Sequence, residues 1–219
     1  MKTLLNIVAS AAAAMTTTAW AATAIDIQAT DPSGTFGTVD AAQLVAWGFD
    51  PSRAVVVDFD FDAGGSAIPN GTALTNQYAS LGVTISGAVT SASVFGGPAS
   101  PPNAAFGSGP IFSFSQAVER VGIVNTSPDQ DFFGVSNASA FVAGANDGGN
   151  FTVDRFVGFQ ADPGDIITSF LFDNGSGSLE LDNLVFQFEE GDRVIPVPGA
   201  AFLMLGGLGF LGRLTRSKR

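Results

Sequence analysis

Asp58, Asp60 and Asp62 alternate with Phe59 and Phe61, a spacing that sets three carboxylates on one face of an extended strand about 7 Å apart. Carboxylates held that close repel one another unless water screens them or a cation neutralises them. Together with Asp182-Asn183 near the other end of the chain, they form an oxygen-only donor set of the kind that suits calcium. Asp58, Asp60, Asp182 and Asn183 are therefore the candidate calcium ligands. The run Asp58-x-Asp60-x-Asp62-x-Gly64 is not an EF-hand loop: Ala63 stands where that loop needs glycine, and Pro69 where it needs a bidentate glutamate. The plain alternative is a solvated edge-strand face guarded by charge.

Other chemistries are excluded by residue type. The chain has no cysteine and no histidine, which removes disulfides, Cys/His zinc sites, cysteine nucleophiles and histidine general bases. Asp129-Gln130-Asp131, Asp147-Gly148-Gly149-Asn150 and Asp162-Pro163-Gly164-Asp165 lie among turn formers, and loop chemistry accounts for them. No nucleophile, base and orienting group are assembled in one motif, so no enzyme is expected. Sugar binding needs aromatic faces, and Trp47 and Tyr78 are the aromatics past the first segment that carry a polar handle; they are the candidate ligand-binding residues. All 20 acids fall between Asp26 and Asp192, and the basic residues of this middle region are Arg53, Arg120, Arg155 and, just past its last acid, Arg193. Such a region repels phosphate backbones, so nucleic acid is a poor partner.

The two ends have their own signatures. Lys2, an Ala-rich apolar run from Leu4 to Met15 and the small residues of Ala19-Trp20-Ala21 form a cleavable signal peptide over residues 1–21, with Ala24 as a second usable cleavage point. At the other end come Pro196-Val197-Pro198, an uncharged Gly/Leu-rich stretch to Gly212, and Arg213, Arg216, Lys218 and Arg219. Proline begins a helix more readily than it continues one. Residues 196–212 are thus expected to form a transmembrane helix with the basic end held on the cytoplasmic side. A proline motif, a hydrophobic helix and a terminal basic cluster, over residues 194–219, resemble the PEP-CTERM sorting signal, with Val197 in place of the signature's acidic residue. The resemblance implies signal peptidase and an exosortase-like enzyme as processing partners and a place in the envelope, on the cell surface or in the extracellular polysaccharide matrix of a biofilm.

Between these ends, residues 25–192 read as one β domain. A short helix is expected from Asp40 as N-cap to Gly48 as terminator. Strands are expected at 54–61, 83–86, 111–115, 118–124, 139–142, 151–159, 166–173 and 178–188. Leu179 and Leu181 are out of phase with Leu184, Phe186 and Phe188, which places a bulge at Asp182-Asn183. The pattern is that of a single antiparallel β-sandwich. Residues 57–61, 76–85 and 181–186 resemble jelly-roll ectodomains found ahead of such tails, and carbohydrate-binding jelly rolls, whose first- and last-strand acids commonly hold a structural calcium. The expectation is an exported, secreted or surface-anchored non-enzymatic protein. A carbohydrate-binding module acting on polysaccharide is the alternative, and a secreted hydrolase the third.

Overall fold

The computed structural model describes residues 22–28, 39–92, 101–127, 132–137, 141–146, 155–173 and 177–190. The signal segment, the tail with Pro196, Val197, Pro198, Arg213 and Arg216, and the acidic turns at 129–131 and 147–150 lie outside them. Among the described residues, no helix is long and apolar enough to cross a membrane.

The domain is all-β, as its pattern implies. Its strands are β1 (Ala22–Gln28), β2 (Ala54–Val57), β3 (Val83–Ser86), β4 (Val89–Ser91), β5 (Ala104–Gly107), β6 (Ile111–Asn125), β7 (Phe132–Ser136), β8 (Phe141–Asn146), β9 (Arg155–Ala161), β10 (Ile167–Asp173) and β11 (Leu179–Phe188). Every pairing is antiparallel. The organising element is β6, which joins two expected strands into one of 15 residues. Its first half pairs with β3 and β10, and β10 continues to β7 and β8. Its second half pairs with β9 and β11; β9 carries β1, and β11 carries β2 and β5.

The two sectors face one another across a phenylalanine-rich core. Phe133 of β7 meets Phe159 of β9 at 5.4 Å between ring centroids, and Phe170 meets Phe172 edge-on at 4.9 Å. Val121, Ile123, Leu184 and Phe186 complete the same cluster. The expected bulge is present: Asp182 opposes Val124, but Val185 opposes Gly122, so β11 spends three steps where β6 spends two. That extra residue flips the phase and lets Leu179, Leu181, Leu184 and Phe186 all enter one core.

A second, smaller core lies on the outer face of β9, β6 and β11. It is built by helix α1 (Ala41–Ala46) and the turn after it: Leu44, Trp47 and Phe49 cover Val124, Phe156 and Val185. The helix starts where the sequence indicates. The Asp40 side chain accepts from the Gln43 N–H at 2.8 Å, and the Gln43 side chain accepts from the Asp40 N–H at 2.9 Å, a reciprocal cap that satisfies two helix-end donors. Gly48 ends it at φ +80°, and a side chain there would strike the Arg120 guanidinium.

Candidate polar cleft and the acidic cluster

The expected acidic strand face does not form. Strand β2 stops at Val57, and Phe59 takes φ +63°, a left-handed conformation uncommon for a bulky residue. This reverses the alternation. Phe59 stays in the core, Asp60 is buried, and Phe61 turns outward at 49% exposure. Asn183, in the bulge of the adjacent strand, is also left-handed, at φ +50°.

Each carboxylate of the set accepts from backbone amides. Asp60 Oδ1 takes the Asn103 N–H at 2.7 Å, Asp58 Oδ1 the Asp60 N–H at 3.1 Å, and Asp182 Oδ1 the Asn183 N–H at 2.7 Å. Asp62 Oδ1 holds a tight turn through the N–H groups of Gly64 and Ser66, both at 2.8 Å. Among the described residues no group of three or more acidic side chains is placed to hold a metal ion. In the candidate calcium set of Asp58, Asp60, Asp182 and Asn183, Asp58 and Asp182 thus accept from amides one or two residues along the chain, and Asp60 from a loop far from it in sequence.

Burial still leaves a charge problem at this end. Desolvation pushes the Asp60 carboxyl up from 3.8 to about 6, against the opposing Asn103 N–H and with a further push from Asp58. Burial likewise raises the Tyr78 phenol, with Asp58, Asp60, Asp182 and Asp62 adding to the shift. The Tyr78 hydroxyl is buried and takes no hydrogen bond among the described residues. Because the folded pKa of Asp60 lies above its unfolded value, its contribution is fully present below about pH 4 and is lost as pH rises through about 6. Asp60→Asn keeps an acceptor for Asn103 and is expected to raise stability at pH 7 by about 1–3 kcal/mol. Denaturant melts from pH 4 to 7 check this, since the variant should lose the wild-type slope. A calcium-specific rise in Tm that vanishes in Asp60→Asn would instead restore the ion.

The aromatic candidates are both interior. Trp47 is 4% exposed and stacks on Phe156 with ring centroids 4.1 Å apart and planes 4° apart. Tyr78 is 2% exposed and meets Phe59 edge-on. Neither offers a face to a sugar, which corrects the expectation from sequence: in a phenylalanine-rich chain their apolar area is needed in the cores. Of the two phenylalanines that open β7, Phe133 is buried and Phe132 is 40% exposed.

An open polar site lies elsewhere, beyond the end of α1 on the outer face. Register alone builds its floor: Arg120 of β6 is the Cα partner of Gln160 in β9 and of Gln187 in β11. The result is an amide, a guanidinium and an amide in a row across three strands. Arg120 donates to the Trp47 carbonyl at 3.2 Å and to Gln160 Oε1, and its guanidinium carbon lies 5.5 Å from the centre of the Phe49 ring. Burial lowers its pKa, partly offset by Glu119. Val118 pairs with Phe188 one step after Arg120 pairs with Gln187, so Glu119 is the extra residue of a bulge and is re-aimed to this face. It accepts from Gln187 Nε2 and forms an ion pair with Arg53 at 3.0 Å. The row floors a cleft of about 370 Å³ rimmed by Glu119, Asp162, Asp165, Glu189 and Glu190.

In the sequence Asp162 and Asp165 are accounted for by turn chemistry, and Glu189, Glu190, Gln160, Arg120 and Gln187 belong to no motif that would mark them. No family model matches this chain, and no curated protein matches it. A solved mutant structure of a family 29 carbohydrate-binding module is similar to it at 14% identity, over 66% of this chain and 99% of that one, with a TM-score of 0.33.

Proposed function

We propose that this chain is an exported, non-enzymatic β-sandwich domain of the cell surface or extracellular matrix, delivered by its leader and sorted or anchored through its PEP-CTERM-like tail. One observation supports the non-enzymatic reading of the domain. The carboxyl pushed to about 6, Asp60, lies where β2 leaves β11 at Leu184, whereas the cleft opens at the Gln187 end of that same ladder. The bulge acid of the cleft, Glu119, is tied to Arg53 and Gln187. Proton transfer calls for the opposite, a poised carboxyl facing a cleft. Incubating the purified domain with a panel of polysaccharides and measuring reducing ends tests this; sustained, enzyme-proportional release would overturn it.

A second reading, carbohydrate binding, is favoured by the row Gln160, Arg120 and Gln187. Sugar hydroxyls both donate and accept; Gln187 is buried and held by the Asp50 N–H and Glu119, and Gln160 Oε1 by Arg120, so the exposed Gln160 Nε2 is the donor this row presents to a hydroxyl, with the rim carboxylates as acceptors. The acidic rim favours uncharged or cationic glycans over uronic acids. Gln160 is exposed at the cleft floor, so Gln160→Ala should leave Tm unchanged and weaken binding of a neutral glycan about tenfold, near 1.4 kcal/mol. NMR titration with neutral and uronic-acid oligosaccharides checks it. Equal affinity of wild type and Gln160→Ala, or preference for the uronic acids, counts against this site.

A further inference from the structure

The two cleavage points available to the leader differ in what they do to the fold. Strand β1 begins at Ala22, and all seven of its residues are in register with β9, from Ala22 opposite Ala161 to Gln28 opposite Arg155. Cleavage after Ala24 would remove three of those seven pairs, including Thr23, whose hydroxyl donates to Asp162 Oδ1 at 3.2 Å. Cleavage after Ala21 keeps all seven of these pairs.

The position of Ala22 also gives the new terminus a partner. Residues directly opposite in antiparallel strands have Cα atoms about 4.5–5.5 Å apart, so the Ala22 nitrogen lies close to Ala161 and to the following Asp162, whose carboxylate Thr23 already holds at this strand end. Asp162 is part of the cleft rim, where it joins Glu119, Asp165, Glu189 and Glu190. The sequence contributes one further fact: lysine occurs at 2 and 218 and nowhere between. A domain freed of its leader and tail would carry a single primary amine, the one on Ala22.

We propose that the leader is removed at the Ala21–Ala22 bond, and that the ammonium group this creates pairs with Asp162 and becomes a fixed positive charge on the rim of the acidic cleft. The step is hydrolysis by a leader peptidase: the Ala21 carbonyl carbon takes the hydroxyl of water, the C–N bond breaks, and the Ala22 nitrogen takes up the protons that make it an ammonium. The cleft of the processed protein therefore differs in charge from that of the precursor. This inference rests on the export reading.

Its test uses the full chain, expressed with its own leader and recovered from the periplasmic or surface fraction. Intact mass should place the first residue at Ala22. Amine-reactive labelling as a function of pH, read on the N-terminal peptide, should give a midpoint about half a unit or more above the ordinary α-amino range of about 7.7–8.0. Asp162→Asn, which keeps an acceptor for Thr23, should bring it back to that range. A first residue at Ile25 in an exported protein overturns the inference and leaves export intact. An unprocessed Met1 chain confined to the cytoplasm overturns both. A chain that begins at Ala22 but labels identically in wild type and Asp162→Asn overturns the pairing.

Discussion

Trp47→Ala should lower the unfolding free energy by about 3–5 kcal/mol, the usual cost of deleting a large buried aromatic, and Tm by roughly 10 °C or more. The reason lies in what the indole holds in place. Trp47 closes α1, stacks on Phe156 and stands with Leu44 and Phe49 over the outer face of β9, β6 and β11. Its carbonyl also anchors Arg120 in the cleft floor. Truncation would open a cavity under the helix where the indole covers Val124, Phe156 and Val185, while the backbone carbonyl that accepts from Arg120 stays in place. Trp47→Phe retains a stacking ring and should recover more than half of the loss. Thermal and urea melts of the three proteins check the series. A Trp47→Ala variant with wild-type Tm and lost glycan binding would return Trp47 to the role of a sugar platform.

Gly158→Ala should be comparably damaging for a different reason. Gly158 and Gly122 are direct partners in the β6–β9 ladder, where both strands come close enough to leave no room for a side chain. A Cβ on Gly158 would stand 2.1 Å from the Val121 carbonyl oxygen and 2.5 Å from the Gly122 Cα. Those are backbone atoms, so relief requires the strands to separate, with an expected cost on the order of 3 kcal/mol. A Cβ on Gly122 would instead meet the Phe156 ring at 2.2 Å; a ring can swing away, but only by breaking the stack with Trp47. Gly122→Ala should therefore expose Trp47, shifting its fluorescence to the red, whereas Gly158→Ala should lower Tm with folded-state fluorescence near that of wild type. The same shift in both variants would contradict this division of labour.

The parts of the fold legible in the sequence were those set by side-chain pattern. Strand β3 runs over Val83–Ser86 as alternation indicates, the Asp40 cap starts α1, and the phase break at Asp182-Asn183 marks a real bulge. Strands β4 and β5 are three and four residues long, Val-Thr-Ser and Ala-Ala-Phe-Gly, too short to show a period. Strand β7 was hidden because Phe132-Phe133-Gly134 follows an acidic turn-like segment and does not alternate. The Asp58 to Asp62 run misled for a conformational reason: a single left-handed residue, Phe59, reverses the faces, and nothing in its side chain announces that choice. The cleft was invisible for a topological reason. Arg120, Gln160 and Gln187 are far apart in sequence and become neighbours only through the register of three strands.

These observations support a domain whose buried aromatics and most firmly held acids serve the fold, and whose open polar surface lies at one end of β6, β9 and β11. We propose that the leader and tail address it to the envelope. The most direct test of that account is the mass of the protein recovered from the surface and medium of its native host. A chain that has lost its basic end, with Arg213 to Arg219 absent, is the expected result. A surface-exposed chain intact to Arg219 would contradict sorting by cleavage, and a full-length chain found in the cytoplasm would contradict the account as a whole.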